Sequence, residues 1–277
     1  MKVRASAKKQ PDVVERALVV EKRESFWYPE EKREALLKRL HNYATDPPRR
    51  RTKSIAIIGE RNSGKSSIID RYQVLHPRVH GPEGQVVPSL RVNMTDVTNV
   101  SDLSIRLLEE LEALEPASGT HTQRMKRFYA LAAKVQLGPI FLDEFHDCVS
   151  TTGRGKPFLR LIKGMGNRKL LVVPLGTAEL EDVLLADKQL SSRFNFGYGR
   201  LPPVSGRAVA RLLLKGMADH LEVKLSDQAA DFVLKSTKGN IGQMLDLLEE
   251  TLLDQGEVTL PALMKQAPLI GGMEAID

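Results

Sequence analysis

The chain has 277 residues, of which 42% are hydrophobic and 27% charged, a composition that suits a globular protein of one large domain, or a large and a small one, and excludes a disordered or fibrous chain. Its formal net charge of +6 makes phosphate-rich partners reasonable without naming one. The single cysteine, Cys148, excludes an internal disulfide framework and reads as an inert core residue. With no apolar signal stretch at the start and no run of about eighteen apolar residues, a cytoplasmic protein with no membrane association is expected.

Residues 1–24 are dense in both charge signs and hold one short apolar cluster at 17–20, so they read as a charged arm that is mobile or ordered by a partner. Residues 25–52 form an N-terminal segment: Phe26, Trp27, Tyr28 and Pro29 precede a helical pattern in Leu36, Leu37, Leu40 and Tyr43. Asp46, Pro47 and Pro48 break that helix, and Arg49, Arg50, Arg51 and Lys53 make a basic linker.

From 53 to 203 short β-type runs alternate with longer helical stretches, the pattern of a parallel sheet covered on both faces. Strands are predicted at 54–58, 86–93, 139–142, 170–175 and 194–200. Helices are predicted at 65–74, 103–114, 122–135, 158–163 and 179–185. After Pro202 and Pro203 the β signal stops, and 204–277 reads as a small helical domain and tail with helices at 209–220, 228–235 and 243–253.

The strongest motif is Gly59, Glu60, Arg61, Asn62, Ser63, Gly64, Lys65 and Ser66, which satisfies G-x-x-x-x-G-K-[ST] between an apolar strand and a helix, with Ser67 next. Its glycines let the loop turn so that successive N–H groups face a phosphate at the positive end of the helix. Lys65 is then expected beside the β- and γ-phosphates of ATP, and Ser66 on Mg²⁺. Downstream, an apolar strand ends in Asp143 and Glu144, expected to hold Mg²⁺ through its waters and to activate the attacking water respectively. That pair predicts hydrolysis as well as binding. His146 has no second His or Cys at ligand spacing and does not read as a metal ligand.

Asp143-Glu144, the strand ending in Gly176-Thr177 and the helical region after Pro203 together resemble the AAA+ class of P-loop NTPases. Within it the chain is similar to the TniB family of transposition ATPases, relatives of TnsC, from about Phe26 to Leu253. Trp27-Tyr28-Pro29, the P-loop and Asp143-Glu144-Phe145-His146 carry the likeness. It implies an α/β AAA+ fold with a five-stranded parallel sheet, an N-terminal helical extension and a C-terminal helical lid. It also implies that Thr177 senses the γ-phosphate and that Arg193, in Leu190-Ser191-Ser192-Arg193-Phe194, is an arginine finger acting on a neighbouring subunit, with Arg160 and Arg200 as substitutes.

Relatives often carry an arginine near the start of the last lid helix, where Gln243 stands here after Gly239-Asn240-Ile241-Gly242, so the charge at that cofactor position is missing. The resemblance further implies a DNA-stimulated ATPase that forms a homo-oligomeric ring or filament on duplex DNA, without sequence preference, and passes target-site information to a transposase and a TniQ-like adaptor. Arg106, Arg124, Lys126 and Arg127 are the candidate phosphate contacts. Two other readings stay open: a clamp-loader-like or initiator-like replication ATPase, and a nucleotide-gated DNA scaffold with little hydrolysis.

Overall fold

The computed structural model describes residues 13–47, 52–82, 84–149 and 155–270. They divide into two units, one from the described residues of Pro29–Arg61 and Lys65–Leu201, the other from those of Met1–Tyr28, Asn62–Gly64 and Pro202–Asp277. The linker arginines Arg49, Arg50 and Arg51, the first half of the expected arm and the end of the tail lie outside the described residues.

Helix α1 (Val13–Ser25) belongs to the smaller unit, and α2 (Glu31–Thr45) opens the larger one, burying Leu36, Leu37 and Leu40 as their spacing predicts. Five of the strands of the larger unit are β1 (Ile57–Gly59), β2 (Leu90–Asn93), β3 (Ile140–Asp143), β4 (Val172–Gly176) and β5 (Arg200–Leu201). They form a five-stranded sheet in the order β2-β3-β4-β1-β5, with every pairing parallel. The crossovers carry α3 (Lys65–Leu75), α4 (Val100–Glu110), α5 (His121–Lys134), α6 (Gly155–Asn167) and α7 (Ala178–Ala186). Because helices cover the sheet, β3 and β4 are buried at every position, which is why they read as continuous apolar runs rather than alternating ones.

Phe128, Leu142 and Phe145 sit fully buried in this core, each contributing roughly 1.5–3 kcal/mol by leaving water. The order β3-β4-β1 has a functional consequence. It sets the end of β4, at Gly176, between the end of β1, which runs into the P-loop, and the end of β3, which carries Asp143. Parallel sheets of this kind hold ligands at the carboxyl ends of their strands.

Four predicted elements come out differently. The run at 54–58 splits into Ser54–Ile55, which pairs with Phe194–Asn195, and β1, which starts at Ile57. The run at 86–93 is two pieces: Gly84–Val86 pairs antiparallel with Val79–Gly81, and β2 begins at Leu90 beyond Pro88, which has no N–H for the ladder. The predicted strand at 194–200 is broken by a helical turn, Phe196–Gly199, because the Asn195 side chain accepts from Gly197 N at 3.1 Å and closes a local turn. The helix predicted at 103–114 starts at Val100, since Asn99 caps it through Ser101 N and Asp102 N, and it ends at Glu110, leaving Leu114 exposed.

The smaller unit packs α1 with α8 (Arg207–His220), α9 (Asp227–Ser236), α10 (Ile241–Gln255) and α11 (Leu260–Gln266) around Leu214, Met217, Val233, Met244 and Leu248. Side-chain caps from Ser226, Asn240 and Thr259 start three of these helices. The reading of 1–24 as a mobile arm is corrected for its described part: α1 is a helix docked on this unit. Val19 and Phe26 pack on its core, Arg16 Nη1 donates to Leu253 O at 2.9 Å, and Arg23 Nη2 reaches Asp246 Oδ1 at 3.0 Å. Of the mixed charges that look like a solvated arm in the sequence, Arg23 is matched to Asp246 and Glu249 of α10, and Lys22 to Glu222.

Arg23 also lies 3.6 Å from Glu249. Burial pushes the Glu249 carboxyl up to about 7; Arg23 opposes the shift, while Asp246, Glu250 and Glu24 add to it. A carboxyl raised in the folded state holds a proton that the unfolded chain releases above its ordinary value of 4.5, so its contribution to stability falls as pH climbs from there to about 7. Glu249→Gln is therefore expected to flatten the decline of the thermal midpoint between about pH 5 and about pH 8, with Arg23 still paired to Asp246. Melting curves across that window check it, and an unchanged slope would refute it.

Candidate nucleotide site

The loop after β1 turns through two left-handed positions, Asn62 at φ 58° and Gly64 at φ 79°, before α3 begins at Lys65. Gly64 supplies its conformation at no steric cost, whereas Asn62 is one of the few other residue types that enter it readily. The Lys65 side chain, almost wholly buried, donates to Gly59 O at 3.1 Å and Glu60 O at 2.9 Å. Burial holds its ammonium below the usual lysine range; Glu144 and Asp143 pull it back up, and Arg61 pushes it further down. Ser66, on the first turn of α3, donates from Oγ to Asp143 Oδ2 at 3.0 Å, while Ser67 faces solvent. The P-loop hydroxyl and the acidic strand end are thus brought together from positions far apart in the chain.

Asp143 is buried at the last position of β3, in register with Asn93 of β2. Glu144 follows in the left-handed region at φ 54°, its N–H 3.2 Å from Asp143 Oδ1, and the next N–H, of Phe145, bonds Leu175 O at 2.8 Å. The sharp turn points the two consecutive carboxylates to separate uses. His146, which carries no sequence signal for a metal, places Nδ1 3.1 Å from Glu144 Oε2 and is itself buried. It is a neighbour of the second carboxylate, which sequence spacing alone does not show.

Thr177 is the N-cap residue of α7, yet its side chain makes no capping bond, and its buried Oγ1 has no partner among the described residues. An orphaned hydroxyl at the end of β4 is costly unless a ligand completes it. At the start of α10 the Gly242 N–H bonds Asn62 O at 2.7 Å, and a Cβ on Gly242 would come within 2.6 Å of that oxygen. The residue against Asn62 is therefore Gly242; the Gln243 backbone N–H is spent on its own cap, Asn240 Oδ1.

Arg193 is tied down: Nη2 donates to Asn167 Oδ1 at 2.7 Å and Nη1 to Lys163 O at 3.4 Å, placing the guanidinium at the C-terminal end of α6. Arg200 is paired with Glu181, and Arg160 is exposed on α6. Of the four residues expected at DNA, Arg124 is corrected outright. It is buried and bonded to Ser104 Oγ, Ser101 Oγ and the carbonyls of Ala117 and Gly119, so it locks α4 and α5 to their connecting loop. Arg127 donates to the carbonyls of Leu114, Glu115 and Ser118, Arg106 pairs with Glu109, and Lys126 is exposed. The i, i+3 spacing of Arg124 and Arg127 reads as a basic helix face in sequence because their acceptors, loop carbonyls, have no sequence signature.

The family model for bacterial TniB protein matches residues 19–198, well over half of the chain and the whole of the P-loop and acidic-strand geometry. The chain belongs to the TniB family. No curated protein matches the sequence. Among solved structures, the ORC2 protein of Aeropyrum pernix, in its ADPNP–ADP complexes, aligns with a TM-score of 0.66 at 14% identity, over 91% of this chain and 71% of that one. The ORC1 protein of the same organism, in complex with DNA, gives 0.63 at 16% identity over 92% and 68%. Cdc6p from Pyrobaculum aerophilum gives 0.62 at 14% identity over 90% and 70%. At such identities the likeness establishes the fold, the AAA+ P-loop fold that the TniB resemblance implies. No described helix is long and apolar enough to cross a membrane.

Proposed function

We propose that this TniB chain is a Mg²⁺-dependent ATPase that assembles on duplex DNA and serves transposition. The observation that carries the reading is the meeting of Lys65, Ser66 and Asp143, with Glu144 beside them, at the ends of β1 and β3. Residues 59–64 would cradle the phosphates, with Lys65 at the β- and γ-phosphates and Ser66 and Asp143 on the metal, which supplies charge neutralisation when bound. The donor set fits: a hydroxyl and a carboxylate are the oxygen ligands a hard divalent cation takes. Glu144 orients and deprotonates the attacking water, Thr177 bonds the terminal phosphate, and the helices from 204 onward are the lid domain, with Gly242 and Gln243 uncharged where relatives have an arginine.

Arg193 acts in trans once an adjacent subunit draws it from Asn167, which makes a homo-oligomer, ring or filament, the active form. Support for DNA comes from the net positive charge and from the fold's likeness to the Aeropyrum pernix ORC1 protein in complex with DNA and to Drosophila ORC bound to DNA. Lys126 and Arg106 are the contacts left for phosphates, with Arg127 available only if its loop opens. A transposase and a TniQ-like adaptor are the partners, in the cytoplasm. Sedimentation with duplex DNA and a slowly hydrolysed ATP analogue is expected to show assemblies larger than a dimer that weaken steeply with salt. A species that stays monomeric with both ligands would overturn the reading. The initiator likeness of the fold supports a replication role as the second reading, and a DNA-stimulated hydrolysis rate that depends on added transposase separates the two.

A further inference from the structure

One arginine that the nucleotide chemistry does not call on sits on its metal ligand. Arg91 projects from β2, and Nη2 donates to Asp143 Oδ2 at 2.6 Å while Nη1 donates to Asp70 Oδ1 of α3 at 2.8 Å. Asp143 Oδ2 is thereby shared between Arg91 and Ser66, and Oδ1 faces the Glu144 N–H. The chain itself satisfies the carboxylate on both oxygens. The Asp143 side chain is 5% exposed, Arg91 is 34% exposed and Asp70 is 59% exposed, so the guanidinium spans from a buried acceptor to a solvated one.

We infer that Arg91 is a resident counter-ion that competes with the divalent cation for Asp143 and so sets how much Mg²⁺ the nucleotide site requires. A guanidinium and a hydrated divalent cation repel one another and draw on the same lone pairs, most strongly where a buried carboxylate is little screened. Asp70 gives the arginine a second seat: when the metal arrives, Arg91 keeps one ion pair as it gives up the other. Asp143 does not depend on Arg91 for its aim, because Ser66 Oγ and the Glu144 N–H hold it from two other directions. Removing the arginine therefore removes a competitor and leaves the ligand in place.

The inference rests on the nucleotide reading of the site and is tested by binding, not turnover. With a fluorescent non-hydrolysable ATP analogue, the Mg²⁺ concentration for half-maximal binding is expected to fall about three- to tenfold in Arg91→Gln, a discount on a full charge-assisted bond for its partial exposure. Asp70→Asn should move it the other way, since Asp143 is then the one carboxylate among the described residues that the arginine hydrogen-bonds; Arg91→Lys should stay near the wild type. Opposite signs at 91 and 70 are what a merely structural ion pair does not produce. An unchanged or higher Mg²⁺ requirement in a folded Arg91→Gln protein overturns the inference while leaving the nucleotide reading intact. If Arg91→Gln does not fold, Asp70→Asn, at an exposed position, decides by its sign. A wild type that binds no analogue at any Mg²⁺ concentration would overturn both.

Discussion

Lys65→Ala is expected to weaken ATP binding by about a hundredfold or more, the equivalent of roughly 3 kcal/mol for one buried ammonium serving two phosphates. In the structure that ammonium already has acceptors, the carbonyls of Gly59 and Glu60, so the loop is held in shape by the side chain that the phosphates would take over. Truncation then removes both the phosphate contact and the brace. Burial holds the Lys65 pKa below the usual lysine range, which means its charge is incompletely compensated by the chain, and an arriving triphosphate supplies what is missing. Lys65→Arg should not restore binding, because a planar fork does not fit a slot built around a point charge. Titration calorimetry with ATP and Mg²⁺, alongside circular dichroism to confirm folding, measures the effect. A folded Lys65→Ala protein with wild-type affinity would remove the nucleotide site from consideration.

Legibility in the sequence follows the range of the interaction. The P-loop is contiguous, and its chemistry is local, so residues 59–66 could be read directly, as could the apolar strands that end at Gly59 and Asp143. The parallel order β2-β3-β4-β1-β5 follows from alternation only as a class; that Gly176 and Thr177 fall between the P-loop and Asp143 emerges from the pairings themselves. What the sequence hid were side-chain meetings at long separation. Arg91 touches Asp143 from 52 residues away, and Arg124 reaches Ser104 from 20, and neither leaves a pattern in spacing. Gly242 leaves no signal for a related reason: a close backbone approach asks for the absence of a side chain, which no charge or periodicity marks. The docking of α1 does not show because much of its apolar surface stays in solvent, with Val13, Leu18 and Val20 exposed, and its attachment rests on ion pairs as much as on Val19.

Glu144→Gln separates binding from chemistry. The amide preserves shape, so affinity for Mg²⁺ and ATP should stay within about threefold, while turnover should drop by about 100- to 10,000-fold with the loss of a general base. The local backbone argues that this carboxylate is placed for a purpose. A non-glycine residue at φ 54° costs roughly 1 kcal/mol, and here the strain is sustained by the Phe145 N–H to Leu175 O bond on one side and the Asp143 carboxylate on the other. Glu144→Gly would relieve that strain, so it is expected to be no less stable than the wild type and equally inactive, the opposite of what a residue retained for folding would show. His146, 3.1 Å from the carboxylate, limits where Oε2 can go, and the buried ring has little room to move. Phosphate release measured with and without duplex DNA, beside thermal melts of both variants, supplies the comparison. Equal rates for Glu144→Gln and wild type would shift the chain to a nucleotide-gated scaffold, with Arg91 and Asp143 governing occupancy instead of turnover.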